Sequence, residues 1–173
     1  MALWGGRFTG SAEESMIALS KSVHFDWRLA KYDVKVNLVH VEGLVDSGLL
    51  SAGNAEIIKA GLKALASEID SGKFTFNDSD EDVHSAIERG LIEKIGSVGG
   101  SIRAGRSRND LVITDFKLYL IENLIGVAQL LTELINEINN QAAKNIEVIA
   151  PGFTHLQHAQ PVSFGHELAK HSH

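Results

Sequence analysis

The chain has 173 residues, 44% of them hydrophobic and 22% charged, with a formal net charge of −6. This composition supplies a core and excludes a mainly disordered chain, and the acidic balance argues against a nucleic-acid partner. Cysteine is absent, which excludes disulfides and thiolate metal sites and fits a cytoplasmic protein. No uninterrupted apolar run reaches about 18 residues, so no membrane span is expected. The opening MALWGGRFTG lacks the charged-then-apolar pattern of a secretory signal.

Gly5, Gly6, Arg7 and Gly10, with an apolar Trp4–Phe8 pair, read as a loop. Ser11 is placed to cap a short helix bearing Met16, Ile17 and Leu19. A second helix is predicted after Asp26, with Leu29, Tyr32, Val36, Val39 and Leu44 as its apolar set and Gly48 as its stop. Ser51 suits the N-cap of a third, whose buried side is predicted as Ile57, Ile58, Leu62, Leu65 and Ile69, before Asp70-Ser71-Gly72 ends it. Lys73 to Asp78 is the best strand or extended candidate. Asp78, Asp80, Glu81 and Asp82 then open a helix with Val83, Ile87, Leu91 and Ile95. Acidic groups there are favoured by the helix dipole, so a capping role explains them without any chemistry. Gly96 to Gly105 reads as a loop.

From about Ser107 to Ile149 only Gly126 interrupts a helical pattern. Ile113, Leu120, Leu124, Val127, Leu131, Leu134 and Ile138 alternate spacings of three and four, with Lys117 at the missing step, a heptad-like stripe. A helix of about 43 residues would run about 65 Å. Such a stripe needs long partners that the short helices before it cannot supply. Both prolines lie in the last quarter of the chain. Pro151-Gly152 breaks the long helix, Phe153 to Gln157 reads as a loop, and Pro161 suits the first turn of a final helix running to His173 without a stop signal.

Three segments carry more polar chemistry than a fold needs. Gly105-Arg106-Ser107-Arg108-Asn109-Asp110 lies where a helix N-terminus offers free N–H groups, and its two arginines could hold a carboxylate or phosphate. Surface arginines beside an ordinary Asn or Asp cap are the plainer account. Thr154-His155-Leu156-Gln157-His158-Ala159-Gln160 holds two histidines able to act as acid or base. Metal binding competes there, but no carboxylate or cysteine has matching spacing, and a histidine bonded to backbone needs no function. Asp80-Glu81-Asp82-Val83-His84 could pair an acid with an imidazole.

Together with Leu3-Trp4-Gly5-Gly6-Arg7-Phe8 and the Ala159-Gln160-Pro161 that follows the histidine segment, these words resemble the argininosuccinate lyase family of the fumarase/aspartase superfamily. The resemblance runs along essentially the whole chain. It implies an all-α fold, with a small N-terminal helical domain (1–106) leading into the first long helices of a central bundle (107–173). It implies reversible elimination of argininosuccinate to fumarate and L-arginine in arginine biosynthesis, with no cofactor and no metal. The implied assembly is a cytoplasmic homotetramer whose active sites are shared between subunits, with no nucleic-acid or membrane partner. On the matching positions, His155 is the catalytic histidine. Ser22, Asp26, Arg108, Asn109, Thr154 and Gln157 bind substrate, while Asp82, His84, Arg106 and Ser107 support the site. The family's third signature, a flexible loop with the serine base, has no counterpart here. The chain is therefore expected to be the N-terminal portion of such a lyase and inactive alone. A non-enzymatic relative like the delta-crystallins, or a sibling lyase of the superfamily, remains the alternative.

Overall fold

A computed structural model describes residues 13–173. The Leu3–Phe8 word and the Ser11 cap lie outside the described residues. The chain divides into two compact units, 1–119 and 120–173.

In the first unit, α1 (Glu14–Ser20) and α2 (Val23–Asp26) precede a short 3-10 turn. Then come α3 (Ala30–Asp46), α4 (Ala52–Asp70) and α5 (Val83–Ile95), each packed on the other two. Their core holds Val34 and Val41 from α3, Ile58, Leu62 and Leu65 from α4, and Val83, Ile87 and Leu91 from α5. On α4 and α5 these recur at steps of three and four, which turns one stripe of each helix inward. Two predicted core positions of α3 and one of α4 do not hold: Val36 is half-buried, and Val39 and Ile57 are exposed. Aliphatic residues stand on both faces of these helices, so hydrophobicity alone does not pick the phase. Gly61 lets α4 approach α5, because a Cβ there would lie 2.8 Å from Leu91 Cδ1.

The predicted punctuation holds. Ser51 accepts the Asn54 N–H at the start of α4, and Gly48 and Gly72 turn at φ 73° and 70°. Asp82 opens α5 with a reciprocal capping box to Ser85. The acidic run is more than a cap, however. Arg89 grips buried Asp80 with a two-pronged fork, Nε and Nη2 each at 2.9 Å. Burial pushes the Asp80 carboxyl up, but this fork and the Asn77 N–H outweigh it and hold it below the usual range. Lys73–Asp78 is irregular rather than a strand, with Phe74 and Phe76 set against Trp27. Within the predicted glycine loop, Ser97–Arg103 winds into a 3-10 helix.

Helix α6 (Arg108–Lys144) begins in the first unit and ends in the second. It stops short of Ile149, where Asn145 opens a turn bonded back to Gln141 and Ala142. In the first unit its buried residues are Leu111 and Asp115, with Leu118 and Tyr119 partly buried, whereas Ile113 is exposed. Leu120, Leu124, Val127, Leu131 and Leu134 are exposed too. Among the described residues, α6 is long and apolar enough to cross a membrane by length and composition. The lack of an uninterrupted apolar run therefore does not rule out a span by itself. Glu122, Gln129 and Glu133 interrupt its apolar sequence, and its heptad spacing is that of a helix packing on other helices.

The second unit corrects the all-helical expectation for its end. The chain folds back as a hairpin of β1 (Ile149–Thr154) and β2 (Gln157–Ser163). Pro151 stands opposite Pro161, so the two residues without N–H donors share one register position and a bulge follows at Gly152. Pro161 thus pairs in a strand rather than starting a helix. The last helix, α7 (Phe164–Ala169), is capped by Ser163 and followed by a 3-10 turn at Lys170–Ser172. Gly165 permits its docking, since a Cβ there would meet the Ala142 carbonyl at 2.5 Å.

Candidate functional site

The N-termini of α5 and α6 gather most of the predicted site residues of the first unit. Ser22 Oγ donates to Asp26 Oδ2 at 2.6 Å, and Asp26 Oδ1 accepts the Val83 N–H at 3.0 Å. The N–H groups of Ser22 and Val23 both donate to the Glu81 carbonyl. The 22–26 turn is thereby stitched onto the first turn of α5. Burial pushes the Asp26 carboxyl up, only partly offset by these hydrogen bonds.

Asp82 and His84 do not pair with each other. Asp82 Oδ1 accepts the Ser85 N–H while its Oδ2 meets Arg108 Nη1 at 2.9 Å. His84 turns inward, and its Nδ1 lies 2.5 Å from Asp33 Oδ2 and 3.7 Å from Asp115 Oδ2. Ser107 caps α6: its Oγ accepts the Asn109 N–H, and Asp110 accepts the Ser107 N–H in return. The cap is thus Ser107 rather than the Asn or Asp expected, with Asp110 answering it. Asn109 is exposed on that first turn. Arg106 is not at the surface; it is half-buried and donates through Nη2 to Asn37 Oδ1.

Arg103, Arg106 and Arg108 share with His84, Asn37, Glu88, Ile102 and Leu111 a cavity of about 170 Å³. Three guanidinium groups beside a helix N-terminus make this an anion-favouring space. Arg103 faces Glu88 and Arg108 faces Asp82. The second pair is 28% and 14% exposed. An incoming carboxylate could replace Asp82 on Arg108 without opening the core.

In the second unit, Thr154 and Gln157 face each other across the hairpin, with His155 and Leu156 as its two turn residues. Both turn residues have left-handed backbones, φ 48° and 63°. Such a two-residue turn matches strand twist but ordinarily takes glycine or asparagine. Thr154, His155 and Gln157 are exposed. His158 lies tilted against Phe153 with ring centroids 5.0 Å apart, a packing contact.

Sequence reasoning missed Asp33, Asn37 and Asp115. All three are buried, and neither Asp115 carboxyl oxygen has a hydrogen-bond partner. Burial, and then the charge of Asp33, push the Asp115 carboxyl up to about 8. One signal was available: Asp33 and Asn37 stand four apart on the helix face that buries Val34 and Val41. Donor atoms of Asp33, His84 and Asp115 lie within 4.8 Å of one another. Their closest pair is set as a hydrogen bond, whereas two donors on one zinc ion would stand about 3.4 Å apart.

Each unit thus carries its own candidate residues: the first polar groups at helix N-termini, the second a short hairpin bearing a histidine. The sequence model of the family described as Lyase matches residues 6–173, and the chain belongs to that family. It is 49% identical over 171 residues to an argininosuccinate lyase of Frankia casuarinae, covering 99% of this chain and 37% of that protein. Over 173 residues it is 47% identical to the argininosuccinate lyase of Nocardia farcinica, again 99% of this chain and 37% of that protein. The chain thus spans little more than a third of these relatives. Among solved structures, the fold is similar to an EDDS lyase in complex with formate, with TM-score 0.71 and 23% identity, over 95% of this chain and 33% of that one. It is also similar to a fumarate lyase:delta crystallin of Brucella melitensis, with TM-score 0.70 and 18% identity, over 88% of this chain and 40% of that one. The helical fold expected from the sequence is, apart from the hairpin, the fold these structures share.

Proposed function

We propose that this chain is the N-terminal part of an argininosuccinate lyase, which cleaves argininosuccinate reversibly to fumarate and L-arginine. One observation carries the reading. In a chain 49% identical to such a lyase, Ser22, Asp26, Asp82, His84, Arg106 and Arg108 gather at two adjoining helix starts. That gathering suits a substrate rich in carboxylates.

The elimination takes a proton from the carbon next to a carboxylate and expels a guanidino nitrogen. Removing that proton builds negative charge on the carboxylate, so positive groups held in place lower the barrier. Arg108 and Asn109 would contact the substrate carboxylates, with Arg106 and Ser107 shaping the same segment. Ser22 and Asp26 would bind the substrate from the α2 side. Thr154 would bind substrate, Gln157 would hold the fumarate portion, and His155 would assist proton transfer or orient the base. The exposed stripe of α6 suits burial among further helices in a cytoplasmic homotetramer, with sites completed by other subunits.

Ultraviolet absorbance of released fumarate tests this reading. In the full-length protein, Arg108→Ala is expected to raise KM strongly and lower kcat/KM by about 100-fold, the worth of a charged hydrogen-bonding pair. The isolated 173-residue chain is expected to release none. Robust turnover by that chain, or unchanged kinetics in Arg108→Ala, would contradict the proposal.

A further inference from the structure

Asp33 and Asp115 have no part in the reaction as drawn above, yet both are fully buried beside His84. Asp33 is held from two directions. Asn37 Nδ2 donates to its Oδ1 at 2.6 Å, and its Oδ2 lies 2.5 Å from His84 Nδ1. Asp115 Oδ2 approaches the same nitrogen at 3.7 Å. His84 Nδ1 therefore faces two carboxyl groups, from α3 and α6, with the Asp33 oxygen much the nearer. A lone pair at Nδ1 would point at oxygen lone pairs, so the proton of a neutral ring belongs on Nδ1. The ring's other nitrogen, Nε2, is then the acceptor, and His84 lines the cavity with Arg106 and Arg108.

We propose that Asp33 is the positioning residue of His84: it fixes the imidazole as the Nδ1–H tautomer and so makes Nε2 a proton acceptor for a ligand held in the arginine-lined cavity. A buried carboxylate orienting an imidazole in this way sets which nitrogen does the chemistry. Asp115, buried on α6, closes the other side of the ring without a hydrogen bond of its own. Asp26 faces the Val83 N–H and Ser22 instead. As part of catalysis the inference rests on the lyase reading; the tautomer does not.

The test is two-bond proton–nitrogen correlation on the full chain with 15N-labelled histidine at alkaline pH, His84 being assigned by the signals lost in His84→Gln. A protonated Nδ1 and an unprotonated Nε2 are expected. Asp33→Asn should populate the Nε2–H form and, in the lyase assay, lower kcat by about tenfold or more with little change in KM. Asp33→Glu should restore part of both. An Nε2–H ring in the wild type, an unchanged tautomer in Asp33→Asn, or one zinc ion bound per chain with displacement of the Nδ1 proton would each overturn the proposal. If Asp33→Asn does not fold, the wild-type spectrum decides alone. If no variant turns over but the tautomer follows Asp33, the lyase reading fails and the positioning role stands.

Discussion

The candidate residues fall into two halves, one in each unit, built in opposite ways. At the starts of α5 and α6, polar groups are buried or half-buried and answered one by one: Asp26 by Ser22 and the Val83 N–H, Asp82 by Ser85 and Arg108, Arg106 by Asn37. At the hairpin, His155 and its neighbours are exposed, and backbone geometry rather than side-chain bonding sets their place. The first half is part of what holds its unit together; the second is a turn carried on two strands. Substitutions should therefore separate stability from activity differently in the two regions.

The largest effect is expected beneath the first half. Ile87 is fully buried between the helices and one turn from His84. Ile87→Ala should cost about 2–5 kcal/mol in chemical denaturation. A loss under about 1 kcal/mol would mean that the α5 contacts are not the core of this unit. Next comes Arg89→Ala, which leaves buried Asp80 without its fork and should cost about 3 kcal/mol. The loss should shrink as pH falls. Asp80 has a lowered native carboxyl, so its contribution is present above the unfolded value and lost on acidification through the native one.

Asp115 should show the reverse sign. Its native carboxyl lies near 8, above the unfolded value, so its contribution is complete in acid and is lost as pH rises from about 4 through about 8. Asp115→Asn should flatten this decline and make the variant relatively more stable at alkaline pH. Melting temperatures of both proteins across that range check it; parallel curves would deny the buried acid. The smallest effect belongs to the hairpin. Leu156 is exposed with φ 63°. Leu156→Gly should relieve about 1 kcal/mol of local strain. A destabilised Leu156→Gly protein would mean that the turn is held by its side chains after all.

The same contrast explains what could be read from the chain. Caps and stops were legible because they act locally: Ser51, Gly48, Gly72 and Asp82 need only their own neighbours in sequence. The site words were also legible, as short segments. Their pairing was not. Asp82 and His84 are two residues apart, but on a helix start they face different ways, one to Arg108 and one to Asp33. Asp33 lies 51 residues from His84, and no local rule joins them. The hairpin was hidden for a related reason. Pro151 and Pro161 each read as a breaker alone, and only their register as opposed partners lets both sit in strands.

The most direct test of the account is fumarate release from argininosuccinate by the full-length protein and its His155→Asn variant, with melting temperature measured beside it. The account predicts fumarate and arginine in equal amounts from the wild type. The variant should turn over about 100-fold more slowly or worse at an unchanged melting temperature. No fumarate from the wild type, or full turnover by His155→Asn, would contradict it.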